Sequence, residues 1–111
     1  MSEFLFVYRG GRRSEDPAEG QRVMQRWTDW MKNLSEKGHL KDMGSPVEPE
    51  GRVVRGTSKT VSNGAFTDGL GTIGGYSVVE ARDLGHAVEL SKGCPIFEVD
   101  GLVEVRPIMS M

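Results

Sequence analysis

Two histidines and one cysteine are the side chains of this sequence that could transfer protons or attack a substrate near neutral pH. His39 follows Gly38, and a histidine held by a carboxylate is the usual arrangement for a general base. The alternative for His39 is structural, with the residue bonding the last carbonyls of a helix that ends at Gly38. His86 lies inside a predicted helix and is expected on the surface or in contact with Asp83.

Cys94 precedes a proline at a predicted helix exit, and no histidine or cation flanks it closely. We therefore expect a buried structural thiol rather than a nucleophile. A single cysteine excludes an intrachain disulfide and a four-thiolate metal site. The two histidines are far apart in the sequence and no carboxylates cluster, so we predict neither a metal nor a cofactor. A reducing, cytoplasmic location fits this cysteine content.

The segment "GLGTIGG", Gly69 to Gly75, has the glycine spacing of a dinucleotide-binding loop. Such a loop works by opening a helix, whose N-terminal amides hold the pyrophosphate. Here the segment leads into "YSVVEA", which is rich in β-branched residues and predicts a strand. A nucleotide site is therefore not expected, although exposed amides of the loop could still bind an anion.

Glu104 and Arg106 alternate along the last predicted strand and so share one of its faces. They form either an ion pair or the anion-binding wall of a pocket. Tyr76 either closes the same cavity or packs with its hydroxyl group satisfied. The candidate ligand-binding residues are Gly69, Gly74, Gly75, Tyr76 and Arg106.

The elements that must position these residues follow from local patterns. Phe4–Tyr8 is an aromatic and β-branched run that predicts a strand. A helix is predicted over residues 17–37, capped by Asp16 and by Glu19 as the second arm of a capping box, and stopped by Gly38. Its apolar positions recur at helical spacing: Val23, Trp27, Trp30, Met31 and Leu34.

The rest of the chain predicts a short strand at His39–Gly44, a loop, a hairpin from "RVVRG" and "SKTVS", and a strand at Gly75–Ala81. A second helix begins after Asp83, and Gly93 and Pro95 end it. A final strand follows in "LVEVRPIM". One apolar helix face is expected from Leu84, Ala87, Val88 and Ser91. The order β-α-β-(ββ)-β-α-β predicts one α+β domain over residues 1–111, ferredoxin-like, with both helices on one face of an antiparallel sheet.

The other sheet face has no helix to cover it, and we expect it to carry Phe, Tyr and Val residues of the first and fifth strands. Such a face favours a homodimer with sheet against sheet. The net charge of −2 with both signs scattered argues against nucleic acid as a partner. The N-terminal apolar run of five residues is too short for a membrane span, so no membrane partner is expected.

Several segments of the second half together resemble the YCII-related family, in particular its DGPF-domain branch. They are "TDG" at Thr67–Gly69, "GGYSVVEARDL" at Gly74–Leu84, "CP" at Cys94-Pro95 and "VEVRPIM" at Val103–Met109. Leu70 and Gly71 replace the Pro-Phe of the namesake motif. The resemblance implies a ferredoxin-like fold that dimerises into an α/β barrel.

The resemblance implies no established substrate. Some relatives are proposed enzymes with a histidine–aspartate pair in a cleft, and Asp68 lies in the branch's own motif. One hypothesis is therefore a small dimeric enzyme or ligand binder, with His39 and Asp68 as an acid–base pair and Arg106 as an anion clamp. Asp68 could instead stabilise only its own Asp-Gly turn. The second hypothesis is a non-catalytic regulatory domain, because DGPF members have been linked to sigma factors.

Overall fold

The computed structural model describes residues 1–111 and has six strands and two α-helices. Strands β2, β5, β1 and β6 form one antiparallel sheet in that order, and β3 pairs with β4 in a separate hairpin. The predicted α+β fold with two helices on an antiparallel sheet is confirmed. The bounds are β1 Ser2–Gly10, α1 Pro17–Glu36, β2 Leu40–Asp42, β3 Arg52–Arg55, β4 Thr60–Asn63, β5 Ile73–Ala81, α2 Leu84–Ser91 and β6 Gly101–Pro107.

Helix α1 begins and ends close to the predicted residues. Asp16 Oδ1 accepts the Ala18 N–H at 3.0 Å, as expected of an N-cap. Glu19 does not complete a capping box, because its carboxylate pairs with Arg12 at 3.2 Å while the Asp16 N–H donates to a serine. At the other end the N–H groups of Gly38 and His39 reach the carbonyls of Ser35 and Leu34, which is the Schellman motif.

The core lies between the sheet and the helices. Phe4, Phe6 and Tyr8 of β1 are buried there, and the rings of Phe6 and Tyr8 pack on Trp30. The Tyr8 hydroxyl donates to Ser77 Oγ at 2.9 Å. The expectation that aromatic residues of β1 lie on the uncovered face is therefore wrong, because the alternation along β1 turns them toward the helices.

Helix α2 is capped by Asp83, whose Oδ1 accepts the His86 N–H at 2.8 Å. Only part of its expected apolar face is buried, since Ala87 and Ser91 are enclosed whereas Leu84 and Val88 are exposed. Pro95 lies after the end of α2 and also begins a short 3-10 helix, Pro95–Val99. The sequence patterns did not predict this 3-10 helix. Neither α-helix combines the length and apolar composition that crossing a bilayer requires.

Two surfaces of this fold are left uncovered. The first, here called the open face, is the side of the sheet away from the helices. The second, here called the arm, is the β3–β4 hairpin with its turn, residues 52–63; neither strand packs against the main sheet. The open face carries Leu5, Val7, Tyr76, Val78 and Leu102 with the charged residues Arg9, Glu104 and Arg106.

Candidate functional site

The most polar part of the open face is built around Arg9, near the end of β1. Its guanidinium contacts Asp68 Oδ1 at 2.8 Å, the Gly71 carbonyl at 3.1 Å and Glu104 Oε1 at 3.5 Å. The side chain is only 9% exposed, and its Nε atom is buried without a partner. A buried cation needs compensating charge, and the two carboxylates supply it.

Asp68 has two roles in this cluster. Its Oδ1 also accepts the Leu70 N–H at 3.2 Å, which is the Asp-Gly turn proposed as its structural alternative. The same oxygen fixes the turn to Arg9, and Oδ2 is left without a protein partner. Asp68 is therefore a partly exposed carboxylate in a fixed position.

The glycine segment runs close over the end of β1 and then enters β5 at Ile73, as its composition predicts. A Cβ atom on Gly71 would lie 2.7 Å from Gly10 Cα, and Gly71 has φ of +91°. Only glycine permits this approach and this backbone conformation. The backbone of the glycine segment therefore packs directly on the end of β1, and this contact places Asp68 beside Arg9.

A cleft of about 320 Å³ opens beside this cluster, within the size range of ligand sites. One wall is apolar and includes Phe66 and Ile73, while Glu48 and Glu50 contribute carboxylates. With only Arg9 as a cation, the cleft has an excess of negative charge. Its lining residues are Arg9, Val47, Glu48, Glu50, Ala65, Phe66, Thr72 and Ile73.

None of the candidate ligand-binding residues from the sequence is among the residues that line this cleft. Arg106 donates to Glu104 Oε2 at 3.2 Å, so the ion-pair alternative is the one observed. Tyr76 is 40% exposed on the open face. Gly75 is covered by Ser45 and Pro46, and the Gly74 carbonyl accepts the Val47 N–H at 2.9 Å. Gly69, with φ of +89°, has open space around it.

His39 lies at the opposite end of the sheet from Asp68. Its Nδ1 donates to the Glu80 carbonyl at 2.9 Å, and Glu80 is paired in register with Glu3. Arg9 is six positions after Glu3 along β1, which is about 20 Å at the rise of a strand. His39 and Asp68 therefore do not form a pair within one chain, because each is bound at a different end of β1.

The His39 ring instead meets the His86 ring edge to face, with 5.1 Å between centroids. His86 Nδ1 accepts the Arg82 N–H at 3.1 Å, so its observed role is local. Partial desolvation, the Arg82 charge and then His39 lower the pKa of His86 below its usual value near 6.5.

This lowered pKa predicts a pH dependence of stability. Below pH 6.5 the unfolded chain takes up a proton at His86 that the folded chain resists, so the free energy of unfolding falls as the pH falls through that region. We expect His86→Gln to lose less stability than the parent protein between pH 7.5 and pH 5.5, measured by urea unfolding. Equal losses in both proteins would contradict this assignment.

Cys94 is buried, and burial raises the pKa of its thiol to about 12. The thiolate is the reactive form, so the folded protein should react with a disulfide reagent at pH 8 at least about 100-fold more slowly than the unfolded protein. A second thiol, introduced by Ser58→Cys at the exposed tip of the arm, is the control because it gives the rate of an accessible thiol in the same molecule. Comparable rates for the two thiols would show that Cys94 is accessible.

The sequence patterns did not select Arg9, Glu48 or Glu50 as site residues. The predicted strand Phe4–Tyr8 ends one residue before Arg9, whereas β1 continues through Arg9 to Gly10. Its alternation with Leu5 and Val7 is the signal that could have placed it on the open face. No group of three or more His, Cys, Asp or Glu side chains is placed to hold a metal ion.

The comparisons with known proteins show the family of this chain. A family model described as the YCII-related domain matches residues 4–111. A comparison with curated proteins finds no match to this chain. Because the match spans nearly the whole sequence, including both ends of the sheet and the Arg9 cluster, the chain belongs to the YCII-related family.

Proposed function

We propose that this protein is a ferredoxin-like homodimer that binds a small polar molecule on the open face of its sheet. The observation that carries the proposal is a buried arginine, held by two carboxylates, beside a cleft of ligand size. Clustered buried charges are costly to maintain for stability alone, which favours a functional role for Arg9 and Asp68.

The free groups of the cleft indicate what such a molecule would present. The carboxylates of Glu48 and Glu50 line the cleft, and Asp68 contacts Arg9 beside it with Oδ2 free. All three carboxylates are hydrogen-bond acceptors, so the ligand would carry amine or hydroxyl donors. Its apolar part would lie against Phe66 and Ile73. If the protein is an enzyme, Asp68 is the group positioned to take a proton, with Arg9 holding it in place.

The surface area supports the association of two copies. A folded monomer of this mass exposes about 6,100 Å² by the scaling of area with mass, whereas this chain exposes 7783 Å². The excess of about 1,700 Å² per chain exceeds the roughly 800 Å² that each partner buries in a standard interface. Pairing across the open face would enclose the cleft in the dimeric α/β barrel expected of the DGPF branch.

The binding proposal is tested by titrating the protein with small amines, diols and carboxylates while following backbone amide NMR shifts. We expect an amine or diol to shift the amides of Thr72 and Ile73. Asp68→Asn should weaken that binding at least about tenfold through loss of a charged acceptor. Asp29→Asn, on the helical face, is the matched control. Binding that is unaffected by Asp68→Asn, or no shift near the cleft with any probe, would overturn the proposal.

A second candidate is the regulatory interaction domain, favoured by a separate groove on the helical side. This groove, of about 480 Å³, lies between α1 and the 3-10 helix and is lined by Trp30 and by Phe97, which is 47% exposed. Arg26 and Glu98 pair across it at 2.8 Å. Titration with a purified sigma factor would favour this function if the amide shifts lie on α1 and Phe97→Ala abolishes them.

A further inference from the structure

The arm lacks the support that a hairpin of its size needs. A two-stranded hairpin alone in water is marginally stable at best, and here neither strand is covered by the main sheet or a helix. Val54 and Val61 are paired across the two strands and are 61% and 57% exposed. The arm therefore presents an apolar strip that is mostly exposed within its own chain.

The opposite face of the arm is different. Arg55 lies over the Phe66 ring, 6.0 Å from its centroid, and Val53 is only partly exposed. By the alternation of the strands, Arg52 is on the side of Val54 and Val61 and hydrogen-bonds Asn63 across the hairpin at 3.2 Å. The unpartnered side thus combines two valines with one cation.

The charge of the arm is complementary to that of the rest of the chain. The arm contains Arg52, Arg55 and Lys59 and no acidic residue. With 14 basic and 16 acidic side chains in the whole chain, the remaining residues hold 11 basic and 16 acidic ones, a net charge of −5. Complementary potentials of this kind orient association and oppose wrong pairings.

The shape of the chain indicates that the arm extends away from its own body. The radius of gyration is 15.4 Å, compared with about 13 Å for a compact domain of this length. The open face of the body matches the apolar strip of the arm, because Leu5, Val78 and Leu102 are partly exposed there.

We propose that the arm of each chain packs on the open face of a second copy, with Val54 and Val61 against its apolar residues. The partner's arm then forms part of the cover over the Arg9 cleft. This inference rests on the self-association proposed above and specifies which segment makes the contact.

The test is a mixed-label NMR experiment on the full chain. Because Cys94 is buried, a nitroxide can be attached selectively through Ser58→Cys at the tip of the arm. The nitroxide-labelled protein is mixed with an equal amount of parent protein that carries no nitroxide and is enriched in ¹⁵N. Only the ¹⁵N protein gives signals, so any broadening comes from contacts between copies. We expect broadening at Leu5, Val78 and Leu102, and none with a diamagnetic tag.

The outcomes separate this inference from the proposed function. If the same mixture sediments as a dimer but the broadening is absent or confined to α1 and α2, the arm contact alone is overturned. A monomer at every concentration overturns both the arm contact and self-association. Ligand binding to the Arg9 cleft is measured independently in either case.

A matched pair of variants provides a second measurement. Val54→Asp places a charge on the apolar strip, whereas Thr60→Asp places the same charge on the opposite side of the arm. We expect Val54→Asp to raise the dimer dissociation constant at least about tenfold and Thr60→Asp to change it by less than about threefold. Equal effects of the two variants would contradict the proposed orientation. The body should stay folded in both, since the arm is outside the core.

Discussion

Gly44→Ala is expected to lower the free energy of unfolding by about 3 kcal/mol or more, the largest effect of any single methyl group added to this chain. Gly44 has φ of +71°, and its Cβ atom would overlap the Tyr76 carbonyl oxygen and lie 2.7 Å from the carbonyl carbon. Both atoms belong to the backbone of β5, so no side-chain rotation can relieve the overlap. The segment after β2 would have to move away from the sheet.

Gly38→Ala is the matched control. Gly38 has a similar φ of +77°, but no atom lies within 4 Å of its would-be Cβ. The loss of unfolding free energy in Gly38→Ala therefore reports the left-handed backbone conformation alone, which costs about 1–2 kcal/mol for an L-residue. Urea unfolding at one fixed protein concentration gives both values, since self-association would make stability depend on concentration. Similar losses for the two variants would show that the overlap at Tyr76 is relieved at little cost.

The elements of this fold were predictable because their ends carry local signals. Asp16 with Pro17, Gly38, and Asp83 each act on backbone groups within a few residues, and they mark three of the four ends of the two α-helices. Glu19 shows the limit of such signals. The capping-box pattern is present, but Arg12 offers its carboxylate a cation from a neighbouring segment.

The orientation of β1 was not predictable from its composition. Phe4 to Tyr8 is apolar at every position, so the sequence shows no alternation that would say which side meets the helices. Only the packing of Trp27 and Trp30 against Tyr8 decides it. The aromatic residues then enter the core, and the smaller apolar side chains remain on the open face.

The composition of the site depended on contacts between distant parts of the chain. Asp68 and Arg9 are 59 residues apart, and the connecting loop gives no periodicity from which their approach could be inferred. Residue type favoured His39 as the general base, because histidine is the usual base. Its position beside Glu80, however, places it at the other end of the sheet. Strand register, rather than residue type, decides which polar groups meet.

Arg9→Met is expected to lower the free energy of unfolding by about 2–3 kcal/mol, because it leaves two carboxylates and the Gly71 carbonyl without their cation. Breaking a fully buried ion pair costs about 3–5 kcal/mol. The smaller value is expected here because Asp68 and Glu104 are 36% and 35% exposed and water can partly replace the arginine. The segment from Asp68 to Gly71 should also lose its fixed position over β1.

Two comparisons distinguish this loss from a general effect of removing an arginine. Arg106→Met removes the exposed partner of the same Glu104 and should cost no more than about 0.5 kcal/mol. Adding Asp68→Asn to Arg9→Met should recover part of the loss, since the neutral amide no longer needs the cation, and the double-mutant cycle gives the coupling of the pair. Amide exchange at Leu70 and Thr72 reports the loop separately from global unfolding. If Arg9→Met destabilises the protein no more than Arg106→Met, the buried cluster is not what holds the glycine segment on the sheet, and Asp68 would have to be positioned by its own turn alone.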